Sequence, residues 1–484
     1  MDETRQGKIK GRVAQALERN NEMKKTGIHT IALLGLASTV FAGENPAAGK
    51  PNVVVILADD LGYADTGFTG AKDIPTPHLD ALAARGVFCT QAYVTASMCS
   101  PSRAGLMSGR YQQRWGHDSN WSTTLLPVSE KNLAERMKVL GYTTGIFGKW
   151  HLGRFSMDLP KDDELDYVRG FDEVFITCHN AQYFKESFLD SKGSKRFEPI
   201  ADPSIYTTDI CAERSVDFIH RNKDRPFFLY VPLNAVHEDF YAPLKLEAPQ
   251  KYLDRVAGIT NVTRQLMAAT VIGMDEALGS IVRALRENGL EQNTLIVFLN
   301  DNGGSLLFPG GTSFNTPFRG GKGNLLEGGI RTPFVLCWPD RVPGGMMYNH
   351  PVSSLDVMPT VIAAAGGDIL PAWGLDGVNL LPWFEGKMNA VPHDALFWRT
   401  GDEGAVRAGD WKLLISPDGR RQLYDLGNDV SESNDLCGKL PDKVKELERR
   451  WANWSAAMGK PQPTVPPEGF TAPWLKQTLK QTPK

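Results

Sequence analysis

The segment that most constrains the fold is NVVVILA at residues 52–58, which is almost entirely apolar and has the length of one buried strand. Such a run is typical of a parallel sheet that is covered on both faces. Further runs of strand length lie at residues 142–148, 226–233 and 294–300, separated by amphipathic helical segments. This alternation predicts an α/β fold with a large mixed, mostly parallel sheet sandwiched by helices.

Polar residues follow all four of these strands. They are Asp59, Asp60, Lys149, His151, His237, Asp301 and Asn302. In open α/β sheets, ligands bind at the carboxyl ends of the strands. Any one of these polar pairs could be an ordinary turn. Because four strands each end in this way, the sequence predicts one polar site at one edge of the sheet.

Four of these residues offer only oxygen donors, namely Asp59, Asp60, Asp301 and Asn302. Oxygen donors suit Ca²⁺ or Mg²⁺ better than zinc. Clustered carboxylates would also repel one another without a cation. The set therefore predicts a site for a hard cation, and the alternative is two independent loop tips.

A complementary basic set consists of Lys149, His151, His237 and Lys322. Lys322 lies in RGGKGNLLEGGIRTPF, where glycines allow the backbone to approach a ligand closely. Basic groups beside a divalent cation form a receptacle for a small, multiply charged oxyanion.

Cys99 begins the segment CSPSRAGLMSGR. Pro101 suits a first helical turn, so Cys99 is expected at or just before the start of a helix. The helix dipole and Arg103 favour an anion there and are expected to lower the pKa of the thiol. A thiolate is nevertheless a poor partner for Ca²⁺ or Mg²⁺. The residues alone thus indicate a reactive position whose sulfur does not match its surroundings.

Residues 99–103, CSPSR, resemble the signature of the type I, formylglycine-dependent sulfatases of the alkaline-phosphatase-like superfamily. The resemblance extends to ILADDLGYADTG, GKWHLG, DNGG, EGGIRTPF and LYDLGNDVSESNDL, so it spans nearly all of residues 51–455. In that family the motif cysteine is oxidised to formylglycine (3-oxoalanine), whose hydrate is the nucleophile. The resemblance implies this change at Cys99, by a formylglycine-generating or an anaerobic maturase enzyme, and it would exchange sulfur for oxygen.

The resemblance also implies a role for individual residues. Ca²⁺, in preference to Mg²⁺, would be bound by Asp59, Asp60, the modified Cys99, Asp301 and Asn302. Arg103 would steady the formylglycine hydrate, and Lys149 and Lys322 would bind the sulfate oxygens. His237 or Lys322 would protonate the leaving alcohol. His151 would accept a proton when sulfate is released.

His237 departs from the family pattern in one respect. Relatives commonly have proline shortly after this histidine, whereas Glu238 and Asp239 follow here. These acidic neighbours are expected to raise the pKa of His237 and to suit it to act as an acid.

Aromatic and polar residues near the predicted mouth would suit a sugar ring, although they could equally be ordinary loop and core residues. They are Trp115, His117, Asp118, Trp121 and Tyr241. We expect an exported carbohydrate sulfatase acting on a sulfated glycan of galactose, hexosamine or algal units. One alternative is a phosphodiesterase or phosphonate monoester hydrolase of the same superfamily. Another is a non-catalytic glycan-binding protein, if Cys99 remains a thiol.

The ends of the chain differ from its middle. Residues 1–42 are typical of a secretory signal peptide with its start at Met23, which predicts a periplasmic or extracellular protein. We expect a catalytic α/β domain at 43–385, an α+β subdomain with an antiparallel sheet at 386–458, and a Pro-rich extended tail at 459–484. The net charge of −3 suggests neither nucleic-acid nor membrane-surface binding.

Overall fold

The structure is a computed structural model, and it describes residues 49–153, 168–177, 183–184, 187–190, 198–201, 204–238, 246–306 and 313–464. The predicted signal peptide at residues 1–42, Tyr241 and most of the predicted tail lie outside these ranges. The extent of the signal peptide and the domain boundaries stay predictions.

A ten-stranded sheet and a small two-stranded sheet account for the strands before residue 354. The strands in chain order are β1 (Asn52–Ala58), β2 (Val87–Cys89), β3 (Ala92–Tyr93), β4 (Thr143–Gly148), β5 (Glu173–Thr177), β6 (Ser187–Asp190), β7 (Glu198–Ala201), β8 (Phe227–Pro232), β9 (Thr294–Asn300), β10 (Phe334–Cys337), β11 (Met346–Tyr348) and β12 (Val352–Ser353). The order in the large sheet is β11-β2-β10-β9-β1-β8-β4-β5-β6-β7, and β3 pairs with β12. Strands β9, β1, β8, β4 and β5 are parallel, and β10, β6 and β7 pair antiparallel with their neighbours.

Helices cover both faces of the large sheet. The helices of the described residues are α1 (Pro77–Arg85), α2 (Cys99–Ser108), α3 (Leu133–Val139), α4 (Thr207–Asn222), α5 (Gln250–Leu253), α6 (Val262–Glu287), α7 (Glu327–Ile330), α8 (Val357–Ala364), α9 (Leu381–Phe384) and α10 (Pro441–Ala456). Of these, α10 packs on a separate C-terminal sheet. The period-2 alternation of β1 explains the two layers. Val54 and Ile56 face a core shared with α4 and α6, whereas Val53 and Val55 face one shared with α2, α3 and α8. Each of these side chains is at most 1% exposed, so burying each contributes about 1.5–3 kcal/mol.

A four-stranded antiparallel sheet follows, formed by β13 (Leu396–Thr400), β14 (Glu403–Ala408), β15 (Trp411–Ile415) and β16 (Arg421–Asp425). On one face Val406 and Leu413 pack against Leu447 of α10. On the other face Trp398 packs with Tyr93 of β3. The predicted fold class is thereby confirmed.

Two further observations concern the described residues. None of their helices combines the length and the apolar character needed to cross a bilayer. Four of their cysteines carry free thiols: Cys89, Cys99, Cys337 and Cys437.

Candidate active site

The acidic residues meet because of the pairing of β1 with β9. The two strands are parallel and in register up to their last residues, so Asp59 and Asp301, which come next, are neighbours. Asp60 has a φ of 60°, and its backbone N–H donates to Asp301 Oδ1 at 3.3 Å. The Asn302 side-chain amide donates to Asp60 Oδ1 at 2.7 Å. The sheet register thus brings together all four predicted oxygen donors, and all of them are buried.

Cys99 lies against these carboxylates at the first residue of α2. Its Sγ is 3.4 Å from Asp59 Oδ1 and 3.8 Å from Asp60 Oδ1, and the residue is fully buried. Burial, reinforced by the Asp59 carboxylate, raises the pKa of the thiol well above its usual range. The expected lowering of this pKa is therefore wrong, because these two effects outweigh the helix dipole and the nearby cations.

Arg103 lies one helical turn after Cys99, and its guanidinium is buried among the carboxylates. Nε and Nη2 lie 2.9 and 2.8 Å from Asp301 Oδ2, and Nη2 is 3.3 Å from Asp59 Oδ2. Nη1 donates to the Lys149 backbone carbonyl at 2.6 Å. Arg103 therefore fixes the positions of two strand ends relative to α2.

The predicted basic residues lie on the outer oxygens of the same carboxylates. Lys149 Nζ is 2.5 Å from Asp59 Oδ2, and Lys322 Nζ is 2.5 Å from Asp60 Oδ2. Lys322 Nζ also lies 3.1 Å from His237 Nε2, which is 3.6 Å from Asp60 Oδ2. Residues far apart in the sequence thus form one buried cluster of acids and bases.

Both histidines are neutral in this environment. Burial, together with the Lys322 and Lys149 ammonium groups, lowers the pKa of His237 to about 3. Burial and Lys149 likewise lower the pKa of His151 well below its usual value. The expectation that acidic neighbours raise the pKa of His237 is therefore wrong, because burial and two cations outweigh Asp60 and Asp59.

The residues predicted to contact a sugar make contacts within the protein. The Trp115 indole N–H donates to the Leu125 carbonyl at 3.1 Å. Both oxygens of Asp118 accept from Arg399, at 2.7 and 3.1 Å. These contacts brace the loop that follows α2, and a role in substrate binding stays a prediction for both residues.

His117 and an unpredicted residue, Asn120, bind the residue next to Cys99. His117 Nε2 lies 3.0 Å from Ser100 Oγ, and the Asn120 side-chain oxygen accepts from the Ser100 backbone N–H at 2.9 Å. The only sequence signal for Asn120 is its position in the polar stretch GHDSN. Sugar binding by His117 likewise stays a prediction.

The donor set fits a divalent cation. Asp59, Asp60, Cys99 and His237 each offer one ligand atom, and these atoms lie within 4.8 Å of one another. Asn302 Oδ1 is buried and has no hydrogen-bond partner among the described residues, which is unusual for a buried carbonyl oxygen. A predominantly oxygen donor set is what Ca²⁺ or Mg²⁺ requires. His237 is the one member of the group that was not predicted as a ligand.

Comparison with known proteins points to one family. The family model described as Sulfatase matches residues 51–367. Arylsulfatase A of Homo sapiens is 31% identical over 456 residues, which cover 83% of this chain and 86% of that protein. N-acetylgalactosamine-6-sulfatase of Homo sapiens is 31% identical over 439 residues, which cover 83% and 80%.

A solved structure agrees with these relatives. The crystal structure of Ps i-CgsB in complex with k-i-k-neocarrahexaose matches with a TM-score of 0.74 and 32% identity, covering 90% of this chain and 98% of that chain. The chain therefore belongs to the sulfatase family, within the alkaline-phosphatase-like superfamily, and is a sulfuric ester hydrolase.

Proposed function

We propose that this chain is an exported carbohydrate sulfatase that uses a formylglycine at position 99 and a bound Ca²⁺. The observation that carries the proposal is the buried cluster around Cys99. In it Cys99 Sγ lies 3.4 Å from Asp59 Oδ1, while the ammonium groups of Lys149 and Lys322 lie beside Asp59 Oδ2 and Asp60 Oδ2. Carboxylates suit a cation, and ammonium groups suit the oxygens of a sulfate group. One small site thus offers both kinds of charge.

The relatives support a sugar substrate. The neighbour Ps i-CgsB is 32% identical and was solved with k-i-k-neocarrahexaose. N-acetylgalactosamine-6-sulfatase of Homo sapiens matches 83% of the chain at 31% identity. We infer a sulfated sugar or oligosaccharide as the substrate class. Export rests on the signal peptide expected at residues 1–42, and N-terminal sequencing of the secreted or periplasmic protein tests it.

Conversion of Cys99 to formylglycine resolves the chemical mismatch at this position. As a thiol, Cys99 is buried and has a raised pKa, so it is a poor nucleophile near neutral pH. The hydrated aldehyde would supply an oxygen nucleophile, and its second hydroxyl would allow sulfate to leave with recovery of the aldehyde.

Asp59, Asp60, Asp301 and Asn302 are the residues that would hold Ca²⁺, together with the modified position 99. Burial and the Asp59 carboxylate raise the pKa of Asp301 to about 7, as expected where acids crowd together. When bound, the cation would supply Lewis-acid stabilisation of negative charge on oxygen.

The basic residues would divide binding and proton transfer between them. Lys149 and Lys322 would hold the sulfate oxygens through Nζ. The leaving alcohol oxygen needs a proton. Because His237 is neutral and its Nε2 lies 3.1 Å from Lys322 Nζ, the Lys322 ammonium group would supply this proton, either directly or through His237. His151 follows directly after the buried pair Lys149 and Trp150, and its neutral imidazole would accept the proton as sulfate is released. Arg103 would hold the reacting residue and two carboxylates in place.

Mass spectrometry of the peptide containing position 99 tests the nucleophile. Loss of H₂S and gain of oxygen relative to cysteine is the expected result, with an aldehyde that reacts with hydrazide reagents. An intact thiol that alkylates fully would contradict the proposal and favour a non-catalytic glycan-binding protein.

Sulfate release from desalted sulfated oligosaccharides tests the substrate. The set should include an oligosaccharide of the kind bound by Ps i-CgsB and an N-acetylgalactosamine 6-sulfate, together with an aryl sulfate and an aryl phosphonate ester. We expect sulfate release from at least one sugar, and faster turnover of the aryl sulfate than of the phosphonate. Faster phosphonate turnover would favour a phosphonate monoester hydrolase.

A further inference from the structure

The C-terminal segment formed by residues 459–464 crosses the loop formed by residues 113–124. Main-chain contacts join the two at three places. They are the Gly459 N–H to the Gln113 carbonyl at 2.9 Å, the Gln462 N–H to the Gly116 carbonyl at 2.9 Å, and a β-bridge between Ser122 and Thr464. The segment therefore pairs with both halves of the loop.

The side chain of Gln462 makes the most specific of these contacts. Its Nε2 donates to the Trp115 and Thr124 carbonyls at 2.8 and 3.1 Å. Its Oε1 accepts from Thr123 Oγ1 and from the Thr124 N–H at 2.8 and 2.7 Å. Two donors and two acceptors are the full capacity that glutamine normally uses, so the amide is committed entirely to holding this loop.

Gly116 shows how closely the two pieces approach. It has a φ of 75°, and a Cβ at this position would lie 2.0 Å from the Lys460 carbonyl oxygen. Only glycine allows both the conformation and the contact without displacement. Arg399 also links the loop to the C-terminal segment. Its guanidinium binds Asp118 of the loop and donates to the Gly459 carbonyl of the segment at 2.7 Å.

The loop in turn contacts the residue that follows the proposed nucleophile. His117, which is fully buried, and Asn120 both bind Ser100, at 3.0 and 2.9 Å. Ser100 lies in the first turn of α2, directly after Cys99. Hydrogen bonds therefore join Gln462 to the loop, and other residues of the same loop bind Ser100 beside position 99.

We infer that residues 459–464 position the reacting residue, with Gln462 as the principal positioning residue, by fixing the 113–124 loop against Ser100. The inference rests on the proposed function, because it assigns the segment a role in sulfate-ester cleavage. A displacement of about 1 Å at a reacting atom costs up to 10²-fold in rate. Loosening the loop should therefore lower kcat, whereas KM should change little because Lys149 and Lys322 are held by Asp59 and Asp60 instead.

The test compares the full chain with three variants: Gln462→Ala, a chain ending at Met458, and a matched control ending at Thr464 that keeps the segment. Each is measured for hydrogen exchange in peptides covering 113–124, for the formylglycine fraction at position 99, and for kcat and KM on an aryl sulfate. We expect Gln462→Ala and the shorter chain to show about 10-fold faster exchange in the loop and about 10-fold lower kcat. KM should stay within about 2-fold of the value for the full chain. The kcat of each variant is divided by its formylglycine fraction before the variants are compared. The chain ending at Thr464 should match the full chain.

Two results would overturn the inference. One is unchanged hydrogen exchange of the loop in Gln462→Ala. This variant keeps every other residue, so it tests the inference even if the shorter chain fails to fold. The other is faster exchange with unchanged kcat, which would limit the segment to a purely structural role. If the full chain itself cleaves no sulfate ester, the proposed function fails and the positioning of a reacting residue fails with it. The exchange data then still show separately whether the segment holds the loop.

Discussion

The molecule contains two buried clusters of opposite charges that are built on different plans. The catalytic cluster consists of Asp59, Asp60, Asp301, Arg103, Lys149 and Lys322, whose side chain is 6% exposed. The junction cluster consists of Glu327, Lys412 and Glu432. In the junction cluster one cation lies between two acids, because Lys412 Nζ is 2.9 Å from both Glu327 Oε1 and Glu432 Oε1. In the catalytic cluster the acids lie together, Arg103 bridges Asp59 and Asp301, and the two lysines lie on the outer carboxylate oxygens.

The remaining oxygens show what this difference means. In the junction cluster, Glu327 Oε2 accepts from Tyr93 Oη at 2.6 Å and Glu432 Oε2 accepts from the Glu327 N–H at 2.7 Å. Each carboxylate oxygen there lies beside a donor of the protein. In the catalytic cluster, Asp59 Oδ1 faces the weak thiol donor of Cys99 at 3.4 Å, and Asn302 Oδ1 has no hydrogen-bond partner among the described residues. The junction cluster joins α7 to the C-terminal sheet, whereas the catalytic cluster leaves the buried Asn302 oxygen without a donor.

The largest expected effect is a loss of turnover, without a loss of stability, when a residue of the catalytic site is changed. Cys99→Ala removes the proposed nucleophile, so turnover of an aryl sulfate should fall by at least roughly 10⁴-fold. Urea unfolding should change little, since the junction cluster is intact. Cys337→Ala, which alters a buried free thiol of β10, is the control and should keep its activity. More than 1% residual turnover in Cys99→Ala would contradict the assignment.

The second prediction makes the converse change in the junction cluster. Lys412→Met leaves Glu327 and Glu432 buried without their shared cation, and breaking a buried pair in this way costs about 3–5 kcal/mol of unfolding free energy. Urea unfolding measures this loss, and kcat per folded molecule should not change. Lys445→Met is the matched control, because that lysine is 76% exposed and its ion pair lies at the surface. Loss of kcat in folded Lys412→Met would show that the clusters are coupled.

Much of this arrangement could be predicted from the sequence. Continuous apolar runs of strand length, separated by amphipathic helical segments, predicted the parallel sheet, and polar residues at the strand ends predicted which side chains share its edge. Burial is not visible in the same way, and for this reason the pKa directions expected for Cys99 and His237 were wrong. The junction cluster was missed because Glu327, Lys412 and Glu432 do not follow the apolar strands of the large sheet, so nothing in the sequence relates residues that lie about 85 and 105 positions apart. No local pattern marks such a contact.

The EGGIRTPF segment illustrates the same limit. Its resemblance to the sulfatase family is clear from the sequence, but the structure places Glu327 in the junction cluster and not among the catalytic residues. A motif that marks the family can therefore stabilise the fold without supplying a catalytic side chain. Gln462 shows the reverse case, since a Pro-rich tail gives no signal for a side chain that saturates its hydrogen bonds with a distant loop.

Metal removal tests whether only the catalytic cluster needs a cation from solution. Dialysis against EGTA should lower sulfate release by about 10²- to 10³-fold, the size expected when a charge-stabilising group is lost. Added Ca²⁺ should restore it. Ca²⁺ should also raise the urea midpoint, because it binds the folded state, and it should do so equally in Lys412→Met since distant sites are additive. Full activity after chelation would contradict the metal assignment.

The smallest expected effect concerns acid stability and again uses Lys412. Burial alone would raise the pKa of Glu327, but Lys412 and Arg331 hold it at about 2, below its ordinary value of 4.5. A carboxylate with a lowered pKa stabilises the folded state above pH 4.5, and this contribution is lost as the pH falls toward 2, amounting to at most about 3 kcal/mol.

Urea unfolding between pH 4.5 and pH 2 measures this contribution. The free energy of unfolding should fall less steeply with decreasing pH in Lys412→Met, because the main group that lowers the pKa of Glu327 is gone. The catalytic cluster is the same in both proteins, so its effect cancels in the difference. Lys445→Met should follow the unmodified chain. Parallel curves for Lys412→Met and the unmodified chain would mean that Lys412 does not set the ionisation of Glu327. The junction cluster would then owe its stability to packing around Tyr93 and Trp398 rather than to its charges.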